Sequence, residues 1–212
     1  MLELLAVIVL SYVTGSFPTS ILAGKIFKGI DIREHGSGNA GATNVLRVMG
    51  WKLGVLVMIV DIGKGVIATL FIARLAADAG LMSFSLVQII AGTAAVIGHM
   101  FTIFANFRGG KGVGTGAGML LALYPFPALV CVVLFFLIAF TTRYVSIASL
   151  SAAFALPFVL LLYGHITNTV IETPLLIFTV AVVLLIIFAH RSNIKRLLNG
   201  TENRFGSANK ES

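Results

Sequence analysis

The stretch from Val113 to Phe140, VGTGAGMLLALYPFPALVCVVLFFLIAF, runs for 28 residues without a charged side chain. No soluble fold hides so much apolar chain in one piece, and a single membrane helix needs only roughly 20 residues. Tyr124-Pro125-Phe126-Pro127 interrupts it, and proline removes backbone donors and favours a turn. The run therefore reads as two short helices in a hairpin. Each arm of about 14 residues would reach about 21 Å at roughly 1.5 Å per residue. That leaves open local thinning of the bilayer or a re-entrant hairpin between five full spans.

Outward from this hairpin the same pattern repeats. Leu2 to Ala23, Trp51 to Ala73, Leu81 to Phe101 and Pro174 to His190 are apolar runs of spanning length, and Ile147 to Tyr163 becomes one with a few flanking residues. The N-terminal run has Glu3 and no basic residue ahead of it, unlike a cleavable signal, and is expected to remain as the first span. Composition agrees: 58% of residues are hydrophobic, 11% are charged, and the mean hydropathy is +1.02. Soluble domains carry about a quarter charged residues. The fold class is thus an all-α polytopic membrane protein of seven transmembrane helices, two of them short. A single domain over residues 1–204 would precede a disordered tail at 205–212.

The net charge of +7 could suggest nucleic acid, but the basic residues fill short breaks between apolar runs, so nucleic acid is not expected as a partner. Lys25, Lys28, Arg33, Arg47, Lys52, Arg108, Lys111, Arg143, Arg191, Lys195, Arg196, Arg204 and Lys210 all fall on one side if the N-terminus lies outside. Positive residues in short loops prefer the cytoplasm, which puts these segments and the C-terminus there. The lone cysteine, Cys131, sits in an apolar run and reads as a packing residue.

Three polar breaks carry chemistry. In the first, Asp31 to Arg47, Gly36, Gly38 and Gly41 permit unusual backbone angles and close approach of amides. Ser37, Asn39, Thr43 and Asn44 add hydrogen-bonding groups, Arg33 and Arg47 add charge, and a helix N-terminus follows. In the second, Gly109, Gly110 and Gly112 surround Lys111, offering a point charge beside amides that could wrap the same phosphate oxygens. The spacing is not that of a P-loop. The third, His190 to Glu202, reads as a short amphipathic helix with His190 and Asn193 on one face. Ser146 and Ser149, near Arg143, could reach the same site. Asp61 and Lys64 lie mid-span three residues apart, where burial favours a structural ion pair. Taken alone, these segments are also compatible with flexible connectors, positive-inside anchors and small-residue helix packing. A transporter of phosphate or an organic anion is the main rival, although such proteins place their sites near the midplane, often between inverted repeats, and none is visible here.

Together the strings GSGNAGATNVLR at 36–47, GH at 98–99 with FRGGKGV at 107–113, and HRSNIKRLLNGTE at 190–202 resemble the PlsY family of bacterial acyl-phosphate:glycerol-3-phosphate acyltransferases. Two departures are small: Thr102 stands where the family favours proline, and Gly114 where alanine is common. The resemblance implies transfer of a fatty acyl chain from acyl phosphate to the 1-hydroxyl of sn-glycerol 3-phosphate, yielding lysophosphatidic acid and phosphate, the first acylation of bacterial phospholipid synthesis. It implies the inner membrane, no cofactor and no metal, contact with membrane lipids, and a functional link to the enzyme that makes acyl phosphate. By the same resemblance Ser37, Arg47, Lys111, His190 and Asn193 would be catalytic. Gly36, Gly38, Asn39, Thr43, Asn44, Gly109, Gly110, Gly112, Ser146 and Ser149 would bind substrate, with Glu202 structural. None of His35, His99, His165 and His190 is followed five residues later by Asp, so the HxxxxD dyad of other glycerol-phosphate acyltransferases is absent.

Overall fold

The computed structural model describes residues 1–78, 80 and 82–204; the expected tail at 205–212 and Leu81 lie outside the described residues. The chain is all-helical there, and its contacts divide it into two compact units, Met1–Ala128 and Leu129–Ser212.

In the first unit α1 (Leu2–Ser16) is followed by α2 (Thr19–Lys28). Sequence reading predicts one continuous span here, but Pro18 has no N–H to extend the helix and its ring drives Phe17 out of the helical region, to φ −55° and ψ 116°. A 3₁₀ turn at Ile32–Glu34 leads to α3 (Ala42–Met49), then α4 (Trp51–Leu70), a 3₁₀ turn at Ile72–Ala76, and α5 (Phe84–Met100). The Ser83 hydroxyl caps α5 by accepting the Leu86 N–H. A 3₁₀ turn at Ile103–Ala105 precedes α6 (Val113–Leu123).

The proline-broken hairpin departs from expectation in its proportions. α6 has 11 residues and α7 (Pro125–Thr142) has 18, so the arms are unequal. Prolines that read as a loop instead start a helix: Pro125 and Pro127 fall in the first turn of α7, where a missing N–H costs nothing. Tyr124 alone makes the break, donating to the Leu120 carbonyl at 2.7 Å and accepting from Ala128 at 3.0 Å. At about 16 Å, α6 is too short to cross a hydrocarbon core unaided, whereas α7 at about 27 Å is not.

Close crossings hold the first unit together. α1 packs on α5, and α4 on α6. A Cβ at Gly15 would lie 2.0 Å from the Ala95 carbonyl oxygen, and one at Gly65 2.0 Å from that of Thr115, so these backbones touch only because the residues are glycine. Under the first polar loop Ile21, Ile32, Val45, Val57 and Ala105 form an apolar seat. Thr102 donates to the Ser16 carbonyl at the end of α1 and accepts the Phe104 N–H at 3.2 Å.

In the second unit α8 (Val145–Thr167) packs on α9 (Thr173–Ala189), and α9 turns by 57° at His190 into α10 (Arg191–Leu198). Among the described residues five helical stretches can cross a membrane by length and composition: Leu2–Lys28, Trp51–Ala76, Phe84–Ala105, Pro125–Thr142 and Val145–Thr167. The bent pair α9–α10 is a sixth if taken as one span. Phe126, Val133, Leu137 and Phe140 along α7 are exposed, as expected of side chains bathed in lipid.

Candidate active site

In the first unit the glycine-rich loop is folded around one amide. Asn44, on α3 and 1% exposed, accepts the Ser37 N–H at 2.8 Å through Oδ1 and donates through Nδ2 to the Ile32 carbonyl at 3.0 Å and the His35 carbonyl at 2.9 Å. A residue expected to contact substrate is thus committed to shaping the loop. Gly36 has φ +61°, and a Cβ there would meet Asn44 Oδ1 at 2.4 Å. Arg47 sits one turn beyond Asn44 and reaches its Oδ1 at 3.4 Å, on the same helix face. Ser37, Asn39, Thr43 and Arg47 are half-buried around this turn, and Gly38, at φ +73°, lets the chain pass between them.

Arg33 is engaged by the protein itself. Its Nε and Nη2 grip the Asp31 carboxylate at 3.0 and 2.6 Å, while Nη1 donates to the Ala105 carbonyl at 3.0 Å, bracketing the first loop to the second polar segment. The Arg33 guanidinium holds the Asp31 carboxyl down, at about 2.

The second segment is laid across the end of α5. The Gly109 N–H donates to the Met100 carbonyl and the Gly110 N–H to that of His99, both at 3.0 Å. These amides were expected to wrap phosphate; they are spent on the α5 carbonyls that a helix C-terminus leaves open. What the glycines provide is proximity, since a Cβ at Gly110 would lie 2.1 Å from His99 Nε2 and 2.9 Å from the Ala40 carbonyl oxygen of the first loop. The two loops therefore meet at Gly110, with half-buried Lys111 next in the chain and Gly112, at φ +80°, opening α6. Sequence reasoning missed His99 as the floor of this strap; its signal was the Gly98–His99 pair ahead of Gly109–Gly110. Behind it Asp61 and Lys64, each 4% exposed, pair at 2.6 Å.

The second unit gathers its polar groups around a carboxylate. Glu202 accepts from Ser146 Oγ at 3.0 Å and Asn193 Nδ2 at 2.6 Å through Oε1, and from Arg196 Nε at 2.7 Å through Oε2. Burial pushes its pKa up, but hydrogen bonds from Asn193, Arg196 and Ser146 outweigh this and hold it below the usual range. His190, buried at the α9–α10 bend, places Nδ1 2.8 Å from the Ile186 carbonyl. A carbonyl only accepts, so Nδ1 carries the proton and Nε2 is the basic nitrogen of the neutral ring. Ser149 donates back to the Val145 carbonyl at 2.9 Å, as serines in helices commonly do. Among the described residues no three His, Cys, Asp or Glu side chains gather as a metal site requires.

A sequence profile of glycerol-3-phosphate acyltransferases matches residues 5–200. The glycerol-3-phosphate acyltransferase of Chlorobaculum tepidum is 45% identical over 99% of this chain and 100% of its own length, and that of Chlorobium luteolum is 43% identical over 96% and 97%. Among solved structures, PlsY, an integral membrane glycerol 3-phosphate acyltransferase, superposes in its glycerol 3-phosphate form with a TM-score of 0.81 and 37% identity over 96% of each chain. Its lysophosphatidic acid form gives 0.78 at the same identity over 96% of this chain and 95% of that one. A match this complete in sequence and fold settles the assignment: the chain belongs to the glycerol-3-phosphate acyltransferase family and is an integral membrane acyltransferase.

Proposed function

We propose that the enzyme moves a fatty acyl group from acyl phosphate to the 1-hydroxyl of sn-glycerol 3-phosphate, releasing lysophosphatidic acid and inorganic phosphate. The observation that carries the site is the meeting of the two glycine loops at Gly110 and Ala40, which brings the loop of Ser37 and Arg47 next to the strap that ends in Lys111. Ser37, Arg47 and Lys111 bind phosphate oxygens, with Asn39, Thr43 and the opening of α6 at Gly112 as further donors. Gly109 and Gly110 seat the strap, and Asn44 and Gly36 shape the loop. In the second unit Ser146, His190 and Asn193 contact substrate, with Glu202 orienting Ser146 and Asn193.

Acyl phosphate is a mixed anhydride and is already activated, so positioning and charge stabilisation suffice for the reaction. The glycerol oxygen attacks the acyl carbon, the acyl carbon–oxygen bond to phosphate breaks, and phosphate leaves with the electron pair. The hydroxyl proton passes to a substrate phosphate oxygen, and Lys111 and Arg47 stabilise the departing anion. A trapped covalent acyl-enzyme would overturn this direct route. The reaction is tested by giving purified protein acyl phosphate and glycerol 3-phosphate together: lysophosphatidic acid and phosphate should appear in equal amounts, and failure with acyl phosphate alongside turnover of another acyl donor would refute the donor assignment.

We further propose a seven-pass topology in the bacterial inner membrane, with α1–α2, α4, α5, α6, α7, α8 and α9 crossing, the N-terminus outside, and the polar loops and C-terminus in the cytoplasm. The one-sided distribution of Lys and Arg supports it, and short α6 crosses where the bilayer thins. Cytoplasmic loops would receive acyl phosphate from the enzyme that makes it, while the acyl chain stays among membrane lipids.

A further inference from the structure

A charged pair buried in a membrane helix is expensive, and such pairs persist where they do something besides neutralise each other. Lys64 Nζ donates to Asp61 Oδ1 and to the Phe17 carbonyl at the α1–α2 break, both at 2.6 Å. Thr19 Oγ1 donates to the same Asp61 oxygen at 3.2 Å, and His99 Nδ1 stands 3.6 Å from it. One carboxylate oxygen of Asp61 thus faces groups from α4 itself, α2 and α5, and Lys64 ties the pair to the α1–α2 break.

The far edge of the His99 ring faces Gly110, with Nε2 where a Cβ would collide at 2.1 Å, while the His99 carbonyl accepts the Gly110 N–H. Downstream, a Cβ at Gly114 in the first turn of α6 would come within 3.3 Å of Asp61 Cβ. Lys111 is therefore flanked on one side by a residue seated on His99 and on the other by a turn seated on Asp61. Ser16, Asp61, Lys64, His99 and Gly110 also line one small cleft, so the pair, the imidazole and the strap share a common boundary.

We infer that Asp61 and Lys64, acting directly on α6 and through His99 on Gly110, are positioning residues that fix Lys111 for phosphate binding. The inference rests on the proposed phosphate-binding role of Lys111. Misplacing a binding group by about 1 Å can cost about 10²-fold, so loosening the network raises the KM for glycerol 3-phosphate rather than merely lowering stability.

The test measures kcat, KM for glycerol 3-phosphate and melting temperature in full-length detergent-solubilised protein for His99→Ala, His99→Gln, Asp61→Asn/Lys64→Met and Lys111→Ala. The double variant removes both charges together, so no unpaired charge stays buried. The expected result is a KM raised by about tenfold or more in His99→Ala and in the double variant, with partial rescue by His99→Gln, which keeps a polar edge against Asp61. Lowered melting temperatures with unchanged KM would make the network structural only and overturn the inference while the Lys111 reading stands. Full activity in Lys111→Ala would overturn that reading and the inference with it.

Discussion

The two units spend their polar groups differently. In the first, the group that organises is a neutral amide: Asn44 uses both its donors and its acceptor on the loop backbone, and the cations Arg47 and Lys111 stand at the edge of what it builds. In the second, the organiser is an anion: Glu202 collects Ser146, Asn193 and Arg196 around a partly buried carboxylate. A neutral scaffold adds no negative charge of its own beside Arg47 and Lys111. An anionic scaffold consumes one cation, Arg196, and uses its remaining pull to hold neutral side chains in place. Phosphate affinity should therefore depend on the first unit, and orientation of neutral groups on the second.

The largest way to break this contrast is Asn44→Asp, which keeps the shape, removes two donors and adds a negative charge beside Arg47. The Ile32 and His35 carbonyls would face a carboxylate, and a loss of about 3 kcal/mol in stability is expected, with activity below detection. Thermal melting in detergent and product formation check both. Glu202→Ala should cost less, about 2 kcal/mol, because Ser146 and Asn193 lose a charge-assisted partner while Arg196, 30% exposed, can turn to solvent. Its pKa is depressed in the folded state, so its contribution is present above the ordinary carboxylate value and fades as pH falls through the lowered one. Melting curves of Glu202→Gln should accordingly differ from those of the parent above that value and converge with them at acid pH.

Ser146→Ala and Ser149→Ala sharpen the comparison further. Ser146 reaches Glu202 and Ser149 only its own helix, so the drop in kcat/KM should be several-fold larger for Ser146, and equal losses would dissolve the distinction. The smallest effect is at the Arg33 bracket. Asp31 titrates at about 2 against an ordinary value of 3.8, so its stabilising contribution is complete above pH 3.8 and lost between there and about 2. Asp31→Asn should lower the melting temperature by only a few degrees at neutral pH, since the two side chains, 26% and 20% exposed, remain partly screened by solvent.

The membrane class and the approximate spans could be read from uninterrupted apolar runs because hydrocarbon thickness fixes their length. The break at Pro18 was missed, and the break at Tyr124 was expected but with the prolines in the wrong role, for one reason: proline acts according to its position in a turn. Pro18 stops a helix that composition alone continues, while Pro125 and Pro127 start one that composition alone interrupts. At the site, Ser37, Arg47 and Lys111 stood out by residue type beside glycine. Which polar groups are already used was not legible. The Arg33 contact with Ala105 spans 72 residues, and Ser146 meets Glu202 across 56, and nothing in local spacing encodes such pairings. Asn44 and Arg33 looked like ligands because a side chain that shapes a loop and one that binds through it have the same composition.

The most direct test of the central claim, that the two glycine loops of the first unit form the phosphate site, is the rate of lysophosphatidic acid formation by purified Lys111→Ala supplied with acyl phosphate and glycerol 3-phosphate. A fall of about 10²-fold or more with an unchanged melting curve is expected, in line with removal of one fixed charge-stabilising group. Activity equal to that of the unaltered enzyme would contradict it.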